Sequence, residues 1–260
     1  LEQGAEDNHV HLNLVSTGTF QSAQEEHTIV KRELDGEADG VIVEPYSSEA
    51  DVVLPTESAK PVVLVGTGIE TDRLFTSVMT DHGKLGKSLA DAVIQGKAVK
   101  VGILSGNQSQ LGMRQRLKSV KDNLAEAGIE ISWILSEKEL DKKMRNVEYF
   151  AEHPVDTVIS LDNDDTEKAV DIILNDDSIS WKLYGEGRSE KLIYYLDKGT
   201  IQELAVPNEY YMGYQSIVLA AQNIRYYTDK TEQAEVEFYM VSKDNLYDEE
   251  TSRILFPAVR

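Results

Sequence analysis

Four consecutive residues, Asp162, Asn163, Asp164 and Asp165, place three carboxylates within one turn of chain, a set able to hold a divalent cation or to cap a helix. The run lacks the calcium-loop pattern with its mid-loop glycine and closing glutamate. Acids just ahead of a helix complement the positive end of its dipole, so capping is the reading the spacing supports and no metal is expected. Asp81 followed by His82 suggests an acid–base pair, but adjacent residues on a helix face apart, and Asp81 reads better as an N-cap. Gly102, Gly106 and Gly112 are too irregular for a dinucleotide fingerprint, no Lys-Ser/Thr follows to make a phosphate loop, and Ser105 lacks the glycines of a nucleophile elbow. No catalytic residue and no cofactor are assigned. Enzymatic chemistry is left with one alternative, a metal-dependent hydrolase built on the acidic loop. Arg114 remains as a group suited to binding, because its fork of donors fits two adjacent hydroxyls or a carboxylate.

Arg114 must be positioned by residues 100–131, which read as strand, polar loop, amphipathic helix and strand. Val101, Ile103 and Leu104 form an apolar run ending at Ser105 and Gly106, and Asn107, Gln108, Ser109 and Gln110 follow. Leu117, Val120, Leu124 and Ala127 then recur at helical steps before Gly128 closes the helix. A parallel βαβ unit carries its polar loop at the carboxyl end of the sheet, where open α/β folds bind ligands. The same alternation runs through the chain. Strands are expected at 11–15, 40–43, 60–65, 75–79, 155–161, 181–184, 201–206 and 236–241. Helices are expected at 21–37, 48–54, from 82 through Ile94, 137–150, 166–174, 190–196 and 209–226. Runs too apolar for a one-faced sheet argue for parallel sheets covered on both faces, and the elements are too many for one small sheet. Two lobes joined by close crossings are expected.

Composition narrows the function. The 260 residues include 46 acidic and 26 basic side chains, a formal charge of −20, so a phosphate backbone would be repelled and nucleic acid is not an expected partner. There is no cysteine, hence no disulfide framework and no thiolate metal site. No apolar run approaches the roughly 20 residues that span a bilayer.

The text and order of several motifs point further. Glu37-Ala38-Asp39-Gly40 precedes VIVEP, KPVVLV precedes a turn, and SVMTDHGKLGKSLAD gives strand, Asp, then helix. KVGILSG leads to MRQRLKSVKDNLAEAGIEI, VDTVISLDNDDTEKAV follows, and Met212 to Tyr214 reads MGY. In this order the chain resembles sugar-type periplasmic binding proteins, the group containing ribose- and galactose-binding proteins and the effector domains of LacI-type repressors. The resemblance implies an α/β fold of two flavodoxin-like lobes with parallel sheets, three hinge crossings and an interlobe ligand cleft. The lobes would be 1–80 with 207–240, and 81–206 with 241–260. The crossings would fall near 79–81, 205–207 and 240–243, with Thr80, Asp81, Val206 and Pro207 as hinge residues. The family begins with a strand and half a helix that this sequence lacks, which implies such a strand upstream.

By the same resemblance Arg114 matches a ligand-binding arginine, Asp162 a ligand-binding Asn, and Glu44 a polar ligand residue before Pro45. Thr67 and Gly66 stand where the family has Arg and Asp, Gly187 replaces an Asp with Glu186 before it, and Pro207 replaces a Gln. Thr67 and Glu186 are thus ligand candidates of altered type, and Tyr46 and Tyr210 could stack on a ring. The expected function is non-catalytic, extracytoplasmic capture of a small sugar-like ligand by hinge closure, serving a membrane transporter or a sensor, with the chain a monomer. The alternative is the effector domain of a LacI-type regulator.

Overall fold

The computed structural model describes residues 1–15, 22–49, 60–72, 75–144, 148–226 and 231–256. Its elements begin with α1 (Glu2–Asp7), α2 (Ala23–Asp35), β1 (Val41–Val43), β2 (Val62–Gly66), β3 (Thr76–Met79) and α3 (His82–Gln95). They continue with β4 (Lys100–Leu104), α4 (Leu111–Glu126), β5 (Glu130–Leu135), α5 (Glu137–Lys143), α6 (Glu148–Glu152), β6 (Thr157–Ser160) and α7 (Asn163–Asn175). The remainder are β7 (Lys182–Glu186), α8 (Glu190–Lys198), β8 (Ile201–Pro207), α9 (Glu209–Tyr226), β9 (Gln233–Glu235), β10 (Phe238–Ser242) and α10 (Glu249–Leu255). The chain divides into two compact units. Unit 1 is Leu1–Asp81, Ser109–Gly112 and Asn208–Glu237, and unit 2 is His82–Gln108, Met113–Pro207 and Phe238–Arg260.

Unit 1 holds a four-stranded sheet of order β1-β2-β3-β9, parallel throughout. Because side chains alternate across a strand, Val41, Val43, Val62 and Leu64 pack with Val30 and Leu34 of α2, whereas Ile42, Val63 and Val65 pack with Met212, Leu219 and Ala220 of α9. Both faces are therefore covered, as parallel sheets require. Ser22 caps α2 by accepting from the Glu25 N–H.

Unit 2 holds six strands of order β10-β8-β7-β6-β4-β5, all parallel except β10, which runs antiparallel to β8. One face packs Val101, Ile103, Ile159 and Ala205 against Leu85, Leu89 and Val93 of α3 and Val120 and Leu124 of α4. The other packs Leu104, Val158, Leu183 and Val206 against α7 and α8 and an aromatic group of Trp133, Phe150 and Trp181. Gly102 sits under the Trp133 ring, where an added Cβ would lie 2.2 Å from Cζ2. Any side chain there would displace the indole.

Several expectations need correction. His11, Leu12, Leu14 and Val15 form no strand, and Leu14 and Val15 are exposed. An apolar run becomes a strand only with a ladder partner, and β1 is the sheet edge among the described residues. Of the helix expected at 48–54, Ser48 and Glu49 are non-helical, and 50–54 lie outside the described residues. The helix expected over 137–150 is two pieces, α5 and α6, with 145–147 outside the described residues. The strand expected over 236–241 starts later, at Phe238, as β10 in the sheet of unit 2, and a separate strand that was not expected, β9 (Gln233–Glu235), joins the sheet of unit 1. The chain therefore leaves unit 1 for the last time at Glu237, upstream of the 240–243 expected, because Phe238 already pairs with Pro207. Helix α10 was not read from the sequence.

Candidate functional site

In unit 2 the carboxyl ends of β4, β6 and β7 lie side by side, since Leu104 pairs with Ser160 and Ser160 with Gly185. Polar residues follow each strand. After β4, Gly106 adopts a φ of +64°, and an added Cβ would lie 2.2 Å from Asp162 Oδ2, so only glycine suits the backbone and leaves room for that carboxylate. After β6, Asp162 caps α7 by accepting the Asp165 N–H at Oδ1, 2.8 Å. Asp165, with 0% exposure, accepts the Gly106 N–H at 3.2 Å and pairs with Lys168 at 3.3 Å; Lys168 also pairs with Asp141 at 2.9 Å. The acidic run is thus a helix cap that also pins the β4 loop.

Arg116 stands at the centre of this edge and is only 6% exposed. Its Nε–H donates to His82 Nδ1 at 3.0 Å, its Nη1 donates to the Leu161 carbonyl oxygen, and its Nη1 lies 3.3 Å from Glu186 Oε2 at the end of β7. These contacts tie α4 to the start of α3, the β6–α7 turn and β7, and none of them uses Nη2. His82 must carry a bare Nδ1 to accept from an arginine, which fixes its tautomer. Helix α4 passes close to α3 at Gly86, where an added Cβ would lie 2.5 Å from the Arg116 carbonyl oxygen. Burial raises the Asp162 carboxyl above its usual range; the Asp165 N–H and Arg116 pull it down, and Asp164 and Glu137 push it up. Burial also raises Asp165, with Asp162 adding to the push and Lys168 opposing it.

The sequence-derived candidates fall into place unevenly. Asp162 and Glu186 come together around Arg116, a residue the sequence reading passed over. Arg114 is half-buried on the same helix, with Nη1 3.4 Å from the Gln108 carbonyl oxygen. In unit 1, Glu44 and Tyr46 follow β1, and the Glu44 carboxylate lies over Gly66, 3.0 Å from where a Cβ would be. The Tyr46 N–H donates to both oxygens of Glu26, 3.0 and 3.1 Å, and Glu26 is another residue not foreseen. Burial is the main cause that pushes Glu26 up to about 7, with Glu44 adding to it and the Tyr46 N–H opposing. Thr67 is buried, and its Oγ1 accepts the Gly112 N–H at 2.9 Å within unit 1. Tyr210 is exposed on the first turn of α9. Thr80 is buried, with an Oγ1 that has no hydrogen-bond partner among the described residues; Asp81 ends the first segment of unit 1, and Val206 and Pro207 end β8.

Both missed residues carry one signal. Arg116, Val120 and Leu124 recur at four-residue steps, as do Glu26, Val30 and Leu34, so each charged group sits in register with a buried apolar stripe.

Two doubly covered α/β units built on mainly parallel sheets, with polar residues at the carboxyl ends of the strands, define a two-unit ligand-binding class. The sequence profile described as Periplasmic binding protein domain matches residues 1–227, and the chain belongs to that family. No curated protein matches. Among solved structures, the fold is similar to that of a carbohydrate transporter solute binding protein from Agrobacterium radiobacter in complex with D-arabinose. That pair has a TM-score of 0.85 and 16% identity over 98% of this chain and 91% of the other. It is similar also to a Caulobacter myo-inositol binding protein bound to myo-inositol, with a TM-score of 0.83 and 18% identity over 97% and 89%. A third is an ABC transporter periplasmic solute binding protein from Actinobacillus succinogenes with bound D-allose, with a TM-score of 0.80 and 17% identity over 94% and 90%. Among the described residues no helix is long and apolar enough to cross a membrane.

Proposed function

We propose that this chain is an extracytoplasmic solute-binding protein that captures a small, sugar-like polyhydroxyl ligand and delivers it to a membrane transporter or presents it to a sensor. The observation carrying this reading is Arg116, a buried guanidinium gripped from three elements at the carboxyl edge of unit 2, beside Asp162 and Glu186. A rigid arginine fork next to carboxylates matches the paired donors and acceptors of a vicinal diol. The matching family and the sugar-bound relatives of the same fold support it.

In this account unit 1 contributes Glu44, Tyr46, Thr67 and Tyr210, and unit 2 contributes Arg116 together with Arg114, Asp162 and Glu186. Thr80, Asp81, Val206 and Pro207 absorb the backbone rotation as ligand contacts in both units draw the protein closed. The protein acts as a monomer and performs no chemistry on its ligand.

A thermal-shift panel of D-arabinose, myo-inositol, D-allose, D-fucose, D-glucose and D-galactose tests the reading. A ligand at about 100 times its Kd should add about 2.7 kcal/mol of apparent stability, so at least one sugar is expected to raise Tm by several degrees. No shift from any of them at millimolar concentration would overturn it.

A further inference from the structure

We propose that unit 2 discriminates by charge, with Glu186 as the specificity-determining residue: the site takes uncharged or cationic polyols and excludes sugar acids and sugar phosphates. The inference rests on the sugar-binding reading above and adds the class of sugar. An exposed, unmatched arginine is ordinarily an anion receptor. Arg116 is not in that condition. Glu186, itself 7% exposed, lies 3.3 Å from Nη1 and matches the guanidinium charge inside the protein, while His82 and the Leu161 carbonyl take the neighbouring N–H groups.

What remains is a donor without net charge. The Nη2 group lies outside these contacts and can serve a hydroxyl oxygen, but the attraction it would offer a carboxylate is already cancelled. Asp162 is within electrostatic reach of Arg116, and the acids Asp164 and Glu137 act on Asp162 with Arg116 as the opposing cation. The second cation of the cluster, Lys168, is shared between Asp165 and Asp141. Arg114 turns Nη1 toward the Gln108 carbonyl. An anion brought here would be desolvated against Asp162 and Glu186 with no unmatched cation in the Arg116–Lys168 cluster to receive it, whereas a hydroxyl can accept from Nη2 and donate to Asp162, and an ammonium gains from Asp162.

The test is calorimetric titration of the whole chain with matched compounds. D-Galactose, D-glucose and myo-inositol are compared with D-galacturonate, D-glucuronate and myo-inositol 1-phosphate, and with D-galactosamine and D-glucosamine as the cations. Each neutral compound that binds is expected to exceed its anionic partner by at least about tenfold, a modest like-charge penalty at a partly desolvated site. Glu186→Gln should narrow that gap by about tenfold through tighter binding of the anion. Asp162→Asn gives an independent check, since Asn caps α7 as well as Asp does and the fold is kept; it too should narrow the gap.

An anion binding the native chain as tightly as its neutral parent would overturn the inference and leave the sugar reading standing. So would an undiminished gap in both variants. If no compound of any charge binds, the sugar reading itself falls, and the inference with it.

Discussion

At the scale of single residues, the site depends on atoms that leave no space for substitutes. Gly106 combines a φ of +64° with a Cα beneath Asp162 Oδ2. Gly106→Ala should cost about 1–3 kcal/mol in urea unfolding, because the β4 loop must shift and the cap of α7 with it. An unchanged midpoint would mean that the loop accommodates a side chain. Glu26 makes a second prediction through pH. Its folded carboxyl is held up to about 7, mainly by burial, while in the unfolded chain it titrates near the ordinary value. Between about pH 4 and pH 7 the folded state keeps a proton that the unfolded state has released, so this group's stabilisation is full at the acid end and lost as pH rises through 7. The slope is on the order of −1.4 kcal/mol per pH unit where the difference is complete. Glu26→Gln should flatten the stability profile in that window, and an equally steep profile in the variant would refute the assignment.

At the scale of elements, α4 is both a core helix and the carrier of the site. Arg116 extends the stripe formed by Val120 and Leu124 into the polar edge, and its charge is tolerated only because Glu186, His82 and the Leu161 carbonyl surround it. Removing one partner leaves the other buried and unmatched. Arg116→Met should therefore destabilise by about 3–5 kcal/mol, and combining it with Glu186→Leu should recover part of that loss; a double variant no more stable than the single one would contradict the pairing. The helices and strands that build this arrangement were legible because each buries one stripe or both faces: α9 falls on the residues expected, 209–226, and the βαβ unit around α4 is as read. What was not legible depended on partners distant in sequence. Residues 11–15 have a strand's composition without a ladder, and the break between β9 and β10 is set by two different sheets. Arg114 drew attention as a loop-proximal arginine, whereas Arg116 was hidden by looking like part of an apolar stripe. Its role emerges only when Glu186, seventy residues later in sequence, is seen beside it.

At the scale of the whole molecule, two independently packed α/β units share one design, with apolar strands covered on both faces and polar residues gathered where the strands end. The acids that give the chain its charge of −20 extend into those edges, as Glu26 and Glu44 in unit 1 and Asp162, Asp165 and Glu186 in unit 2. A face of that sign suits a ligand offering hydroxyl donors, and the family to which the chain belongs supplies the frame for capturing it. The most direct measurement is calorimetric titration of the native chain and of Arg116→Lys with the neutral sugars. Lysine keeps the charge near Glu186 but loses the planar fork, so the account predicts saturable binding of at least one sugar by the native chain and at least about tenfold weaker binding by the variant. Equal affinities in the two proteins, or no binding by the native chain, would contradict it.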